Sequence, residues 1–148
     1  MKHSENINAT QQFRMDYWIA FNEYAFQNSQ FSKNFRQRKP STDHWMNFSI
    51  GSSDCHLAVS QIKQRNELNV EIYIRKNKEL FHSLLEKKAQ IEADSGLIFD
   101  WRELPEKKAC RIVIEKPVKL SDKEKWSEQF DWIMDTMLKM KKAFKKYI

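Results

Sequence analysis

One stretch of the chain constrains the fold more than any other, because apolar and polar side chains alternate strictly through residues 68–75. Successive side chains of a β-strand point to opposite faces of its sheet. The stretch therefore predicts a strand in an antiparallel sheet that is covered on one face and open on the other. The apolar positions are Leu68, Val70, Ile72 and Ile74, and the polar positions are Asn69, Glu71, Tyr73 and Arg75.

Further strands are predicted on both sides of this one. Residues 44–50 and 55–62 are two apolar-rich runs, and the turn sequence Gly-Ser-Ser-Asp at 51–54 separates them, so they predict a hairpin. Residues 97–102 and 109–115 carry apolar side chains at every second position later in the chain. Together the runs predict a five-stranded, mainly antiparallel sheet.

Apolar side chains also recur at helical spacing in three segments. The first predicted helix covers residues 9–28. The second runs from a cap at Asn77 to about residue 94, with the stem of Lys88 along its apolar edge. Gly96 is placed to end this helix in the left-handed conformation.

The last helix is predicted to begin near Asp122, because Ser121 and Glu124 match a capping box. Its apolar stripe repeats over about six turns, which is longer than a small sheet can cover. We therefore expect the end of the helix, near Phe144 and Tyr147, to project from the domain or to pair with a second copy of the chain.

The predicted order of elements is α-β-β-β-α-β-β-α, which indicates an α+β domain with helices packed on one face of the sheet. The 148 residues are expected to form one such domain over residues 12–148, after an N-terminal tail of residues 1–11. Trp45 and Trp101 are predicted to lie in the core, because a tryptophan ring buries a large apolar area. Cys55 and Cys110, which lie in predicted strands, are also predicted to be buried in the core and to form no disulfide.

The composition argues against several chemistries. The chain has only two glycines, Gly51 and Gly96, whereas a P-loop or a dinucleotide fingerprint needs several in one short stretch. Its histidines and cysteines lack the spacing of a zinc site, so we expect no metal and no cofactor. No apolar run approaches the ~18 residues of a membrane span, and the N-terminal sequence has no apolar core of a signal peptide. We expect a cytoplasmic protein without a membrane partner.

The sequence also argues against a metal-dependent nuclease site. Such a site needs an acidic residue on one strand and an acid-x-Lys pair on the next, so that carboxylates hold the metal beside the attacking water. Two acid-x-Lys pairs exist, Glu86 with Lys88 and Glu106 with Lys108, but the first lies in a predicted helix and the second in a turn. Glu71, the best strand candidate, has no lysine two positions later.

The net charge of +6 is concentrated in two segments without acidic residues, 33–39 and 139–148. Basic clusters attract polyanions such as nucleic acids. The alternative is a solvated lysine face that complements the negative end of a helix dipole. The phosphate-binding candidates of the two segments are Lys33, Arg36, Arg38, Lys39, Lys141, Lys142, Lys145 and Lys146.

The polar face of the predicted sheet offers a second candidate surface. Tyr73 and Arg75 are placed there with Glu71, and tyrosine interleaved with arginine on an open sheet can stack and hold single-stranded nucleic acid. The alternative is an ordinary solvated face with cross-strand Glu–Arg ion pairs. Neighbouring strands are expected to add Asp100, Arg102, Arg111 and Glu115.

Several stretches together resemble a known family. They are Tyr17 with Trp18, residues 77–92 (NKELFHSLLEKKAQIE), residues 96–112 (GLIFDWRELPEKKACRI) and residues 126–132. From about Gln12 to its last residue the chain resembles the bacterial family known as domain of unknown function 4268. The resemblance implies a setting behind restriction-endonuclease-like domains or near DNA-modification and defence genes. It implies no catalytic residues.

These observations favour a non-enzymatic accessory domain that binds DNA or RNA in a bacterial DNA-processing or defence setting. One alternative is a protein-interaction module that partners a separately encoded nuclease or modification subunit. Another is a cryptic metal-dependent nuclease. A homodimer through the C-terminal helix is compatible with each of them.

Overall fold

The computed structural model describes residues 6–148, so His3 and the first part of the predicted tail lie outside the described residues. The predicted order of strands and helices is confirmed, with a short additional helix after the first and a division of the second. The helices and strands are α1 (Ala9–Ala25), α2 (Ser29–Asn34), β1 (Trp45–Phe48), β2 (Cys55–Ile62), β3 (Glu67–Ile74), α3 (Lys78–Glu86), α4 (Lys88–Ser95), β4 (Asp100–Arg102), β5 (Cys110–Pro117) and α5 (Trp126–Phe144).

The strands form one sheet in the order β1-β2-β3-β5-β4, and every neighbouring pair is antiparallel. The strictly alternating strand, β3, lies at the centre, where Val70 is opposite Val59 of β2 and Ile114 of β5. The predicted α+β class and the antiparallel sheet are confirmed. Cys55 and Cys110 are buried and free, as expected.

Asparagine side chains begin three of the helices. The Asn8 side chain accepts a hydrogen bond from the backbone N–H of Gln11, whose side chain accepts one from the backbone N–H of Asn8 in return. Asn28 caps α2, and Asn77 caps α3 as predicted. Each cap satisfies an N–H group that has no partner within its helix. Because α1 begins at Ala9, part of the predicted tail is helical.

The core lies between the sheet and the helices on one face, with α5 against β3 and α1, α2 and α4 beside α5. Tyr17 and Phe21 of α1 meet Phe130 of α5 with ring centroids 5.1 and 5.6 Å apart. The buried Tyr17 hydroxyl donates a hydrogen bond of 2.8 Å to Oε1 of Gln129, so the polar atom is satisfied inside the core.

The prediction of one continuous second helix is wrong, because the helix is interrupted at Lys87. The Lys87 N–H donates to the carbonyls of Leu84 and Leu85, and α4 then starts at Lys88. The break lets Ile91 reach the core while α4 packs against α5. Lys88, the first residue of α4, is exposed.

Gly96 has a φ of 72° and ends α4 in the left-handed conformation, as predicted. Its N–H donates to the carbonyl of Glu92, which satisfies one of the last groups of the helix.

Helical structure begins near Asp122 as predicted but without the predicted capping box, and the prediction for the far end of the last helix is wrong. No side-chain capping bond forms at Asp122, and a 3₁₀ turn at Lys123–Lys125 precedes α5. At the other end Phe144 is fully buried against Phe99, with ring centroids 5.6 Å apart. The helix end does not project, because α4 and β4 extend the core beneath it. The homodimer through this helix stays a prediction.

The basic segment after α1 is held against the body of the domain. Trp18 Nε1 donates to the carbonyl of Asp43 at 2.9 Å, and the Asn22 side chain donates to the carbonyl of Arg38 at 2.8 Å. The chain between α1 and β1 therefore forms α2 and then follows α1 back to the sheet. None of the helices in residues 6–148 combines the length and the apolar character needed to cross a membrane.

Candidate functional site

The face of the sheet turned away from the helices carries the polar side chains of the strands. We call it the outer face. Its position follows from the strand alternation and from the antiparallel register, which places Tyr73 opposite both His56 and Arg111. The outer-face residues are Trp45, Asn47, His56, Ala58, Ser60, Asn69, Glu71, Tyr73, Asp100, Arg102, Arg111, Val113 and Glu115.

Three connected cavities follow the outer face along β1 and β2, and we call them together the sheet groove. Their volumes are about 270, 430 and 430 Å³. The first and second share Asn47 and His56, and the second and third share His44, Ser60 and Arg111. The groove therefore runs from the β1–β2 turn to the end of β2.

An ion pair forms the floor of the groove. Arg111 donates two hydrogen bonds to Glu71, from Nε at 2.7 Å and from Nη2 at 2.6 Å. Hydrogen bonding to Glu71 raises the pKa of Arg111, although burial opposes it. Glu71 is only 4% exposed, so this carboxylate depends on its bidentate partner. The predicted cross-strand Glu–Arg pairing is confirmed here, in a buried rather than a solvated setting.

A second arginine of the outer face is also neutralised by its neighbours. Arg102 donates to Asp100 at 2.7 Å and to Glu115 at 2.9 Å. Together with the Glu71 pair, these contacts leave little free positive charge on β4 and β5.

The first cavity has a different electrostatic character. It is lined by Arg38 from the basic segment and by Arg75 at the end of β3. Neither guanidinium has an acidic partner within 4.0 Å among residues 6–148, although Asp54 lies in the same lining. Two unpaired arginines thus lie at this end of the groove, whereas the third cavity at the opposite end has one arginine without an acidic partner among residues 6–148, Arg14.

Aromatic rings line the middle of the groove. The His56 and Tyr73 rings lie 5.3 Å apart, and the His44 and Trp45 rings 4.9 Å apart. The prediction that Trp45 is a core residue is wrong, because the register pairs it with Ser60 on the outer face and leaves it 42% exposed. Trp101, in contrast, packs against the core.

Both histidines of the groove have lowered pKa values. Burial lowers the pKa of His56; the charge of Glu71 acts in the opposite direction, and Arg75 and Arg38 lower it again. Burial also lowers the pKa of His44. The lowered pKa values favour the neutral imidazole at pH 7, and each neutral ring offers one hydrogen-bond donor and one acceptor.

The structure divides the ten predicted nucleic-acid contacts between two sides of the domain. Arg38, Tyr73 and Arg75 line the sheet groove. On the helical side, Lys141, Lys142 and Lys145 line a separate cavity of about 290 Å³. The four others are exposed and line neither cavity: Lys33, Arg36, Lys39 and Lys146.

Two of the C-terminal lysines already have partners within the domain. Lys141 Nζ donates to the carbonyl of Asn34 at 2.5 Å and lies 5.1 Å from the centre of the Phe35 ring. Burial, and then the charge of Lys145, lower the pKa of Lys141. Lys146 pairs with Asp94 of α4 at 3.1 Å. The helical side therefore offers fewer free cations than its sequence suggests.

The sequence reasoning missed Trp45, His56 and the serines of the β1–β2 turn. The signal for Trp45 was present, because Met46 and Phe48 are apolar and strand alternation then turns Trp45 and Asn47 outward. No sequence signal places His56 beside Arg38, since that proximity depends on how the basic segment folds back.

No group of three or more His, Cys, Asp or Glu side chains within residues 6–148 is arranged to hold a metal ion. Glu86 and Lys88 lie on either side of the break between α3 and α4, and Glu106 and Lys108 lie in an exposed turn.

A comparison with protein families finds one match. The family model described as "Domain of unknown function (DUF4268)" matches residues 13–148. Neither a curated protein nor a solved structure matches the chain.

Proposed function

The chain belongs to the DUF4268 family, whose description names no activity, and from its site we propose that it is a non-enzymatic module that binds single-stranded nucleic acid along the sheet groove. The bacterial DNA-processing or defence setting is part of the same proposal. In that setting the module would hold a displaced or unpaired strand for a neighbouring nuclease or modification enzyme.

One observation carries the proposal: an exposed tryptophan, a half-buried tyrosine and unpaired arginines occupy the same uncovered face. Trp45 and Tyr73 offer ring surfaces, and Arg38 and Arg75 offer cations without acidic partners. Base stacking on aromatic side chains contributes about 1–3 kcal/mol per base, and it needs no particular sequence. Arginines beside the rings supply the contacts to phosphates.

The geometry favours a single strand over a duplex. In a duplex the faces of the bases are stacked on each other, so rings on a sheet can contact them only where bases are unpaired. The described chain also presents no helix on the outer face that could enter a major groove. The neutral histidines and the hydroxyl of Ser60 add hydrogen-bonding groups that suit base edges.

The test is an anisotropy titration of labelled single-stranded DNA, unstructured RNA and duplex DNA at increasing salt. We expect micromolar or tighter binding of at least one single strand, weaker binding of the duplex, and affinity that falls as salt rises. Trp45→Ala should weaken single-strand binding about tenfold, because one stacking contact is lost.

The matched variant is Lys142→Gln with Lys145→Gln, which removes two exposed lysines from the helical side. Under the proposal it leaves the single-strand affinity within about twofold. A greater loss of single-strand affinity in this variant than in Trp45→Ala would indicate that the interface lies on the helical side. Equal affinity for duplex and single strand would contradict stacking on the outer face.

A second candidate, a protein-interaction module, is favoured by Ile98. This side chain is 81% exposed just before the edge strand β4. An exposed apolar residue beside an open strand edge suits a protein partner such as a nuclease or modification subunit. Capture of such a subunit that resists high salt and nuclease treatment, and that Ile98→Ser abolishes, would favour this candidate.

A further inference from the structure

The end of the sheet groove at the β1–β2 turn is chemically distinct from the rest of it. Its cavity of about 270 Å³ is lined by Arg38 and Arg75 together with hydroxyl-bearing side chains of the turn. The volume is below the range of pockets that enclose a whole drug-sized ligand, so it suits a small polar group. The hydroxyl-bearing residues are Ser49, Ser52 and Ser53.

The arginines reach this cavity from different parts of the sequence. Arg75 follows β3 directly, and its backbone N–H bonds to the carbonyl of Asp54 across the hairpin. Arg38 is brought in by the basic segment, whose backbone at this residue accepts a hydrogen bond from Asn22. Both backbones are therefore fixed while the guanidinium groups stay free.

The chemistry of this lining suits a phosphate group with two negative charges. A guanidinium presents a planar pair of donors that matches two phosphate oxygens, and the turn hydroxyls can donate to the third. His56 lies at the boundary with the next cavity and can donate from its ring nitrogen. One carboxylate, that of Asp54, opposes an anion, so the lining carries a formal charge of +1 with neutral His56.

We propose that this cavity binds the terminal phosphate of the single strand that occupies the sheet groove. The inference rests on the proposed function and adds to it that the module recognises a strand end. An internal phosphodiester carries one negative charge, whereas a terminal phosphate monoester carries between one and two near pH 7. The second charge and the extra oxygen are what two free arginines can distinguish.

The position of the cavity supports an end rather than an internal phosphate. It lies where β1 and β2 are joined, so turn residues border the groove at that point. The other two cavities continue in one direction, along the strands toward the end of β2. A strand that begins at the arginines can therefore follow the groove past Tyr73 and Trp45.

The experiment compares one labelled strand of about ten nucleotides in three forms: with a 5′-phosphate, with a 3′-phosphate, and with neither. The label is placed internally so that both ends stay free. We expect one phosphorylated form to bind at least tenfold more tightly than the unphosphorylated strand. An equal gain for both forms would support phosphate recognition without strand polarity.

Substitutions of the two arginines test whether the tighter binding of the phosphorylated strand depends on this cavity. Arg38→Gln with Arg75→Gln should abolish the gain, and Arg38→Lys with Arg75→Lys should keep part of it, because charge remains while the paired donors are lost. The matched control is Lys87→Gln with Lys88→Gln, which removes two exposed cations between α3 and α4 and should keep the full gain.

The outcomes separate this inference from the proposed function. Equal binding of all three strands would overturn terminal-phosphate recognition and leave the single-strand module standing. A gain that survives Arg38→Gln with Arg75→Gln would also overturn it, because the phosphate would then bind elsewhere. Failure of every strand to bind at low salt would overturn the proposed function and this inference together.

Discussion

At the scale of single residues, Glu71 shows how a surface pattern can hide a buried group. Strand alternation places it on the open face, yet only 4% of it is exposed and both of its oxygens accept hydrogen bonds from Arg111. A buried carboxylate is stable only when paired. The ion pair therefore stabilises the sheet and holds Arg111 in position in the floor of the groove.

Glu71→Gln should destabilise the fold by about 1–3 kcal/mol, because the Arg111 guanidinium loses its counter-charge and one of the two oxygens that accept its hydrogen bonds. Urea unfolding followed by circular dichroism measures the change as a lower midpoint. Glu115→Gln is the matched control, since this exposed partner of Arg102 should cost below about 1 kcal/mol. Equal effects of the two variants would show that the buried pair has no special role.

The pKa of His56 predicts a pH dependence of stability. Burial is the largest cause that lowers it below the model-peptide value of 6.5, so the unfolded chain binds a proton more readily than the folded one. Stability should therefore be full above about pH 6.5 and decrease as the pH falls toward the folded pKa of His56. His44 acts in the same direction.

NMR titration of the imidazole signals measures these pKa values directly. His56→Asn should flatten the dependence of unfolding free energy on pH between about 5 and 7, where carboxylates contribute little. A His56 pKa above 6.5, or an unchanged slope in the variant, would contradict the burial of this ring.

At the scale of elements, the division of the second predicted helix places a separate helix, α4, against the C-terminal helix. Because α4 turns onto α5, it extends the core to Phe144, which also meets Phe99 and Trp101 at centroid distances of 5.6 and 6.2 Å. Tyr147 then donates a hydrogen bond to Oε1 of Gln90 in α4. A helix that looks too long for its sheet is thus covered by another helix.

Phe144→Ala should cost about 3–5 kcal/mol, because it leaves a cavity under the end of α5. The matched variant Tyr147→Phe loses only one exposed hydrogen bond and should cost about 1 kcal/mol or less. Urea midpoints of the two variants test the difference. A loss below 1 kcal/mol for Phe144→Ala would indicate that the helix end projects after all.

At the scale of the whole molecule, the sheet separates two kinds of surface. Helices bury one face, and two lysines on that side already have partners, Lys141 with the Asn34 carbonyl and Lys146 with Asp94. The other face keeps its rings and free arginines at the surface. Of the two charge clusters of the sequence, the first therefore contributes Arg38 to the proposed interface and the C-terminal lysines contribute none, while Arg75 comes from the end of β3.

The sequence by itself determined the elements, because their signals are local. Alternation in β3, the Asn77 cap and the Gly96 stop each depend on residues a few positions apart, and each is confirmed. The Ser121 and Glu124 signal is equally local, but its capping bond does not form; the Trp126 side chain beside it donates a hydrogen bond of 2.7 Å to the Leu120 carbonyl.

Only the tertiary structure decided the site. Arg38 and Arg75 are far apart in sequence, and they line one cavity because the basic segment follows α1 back to the hairpin. The burial of Glu71 and Phe144 likewise depends on neighbours from other elements. Proximity between distant segments is set by packing, and local spacing in a single sequence carries no record of it.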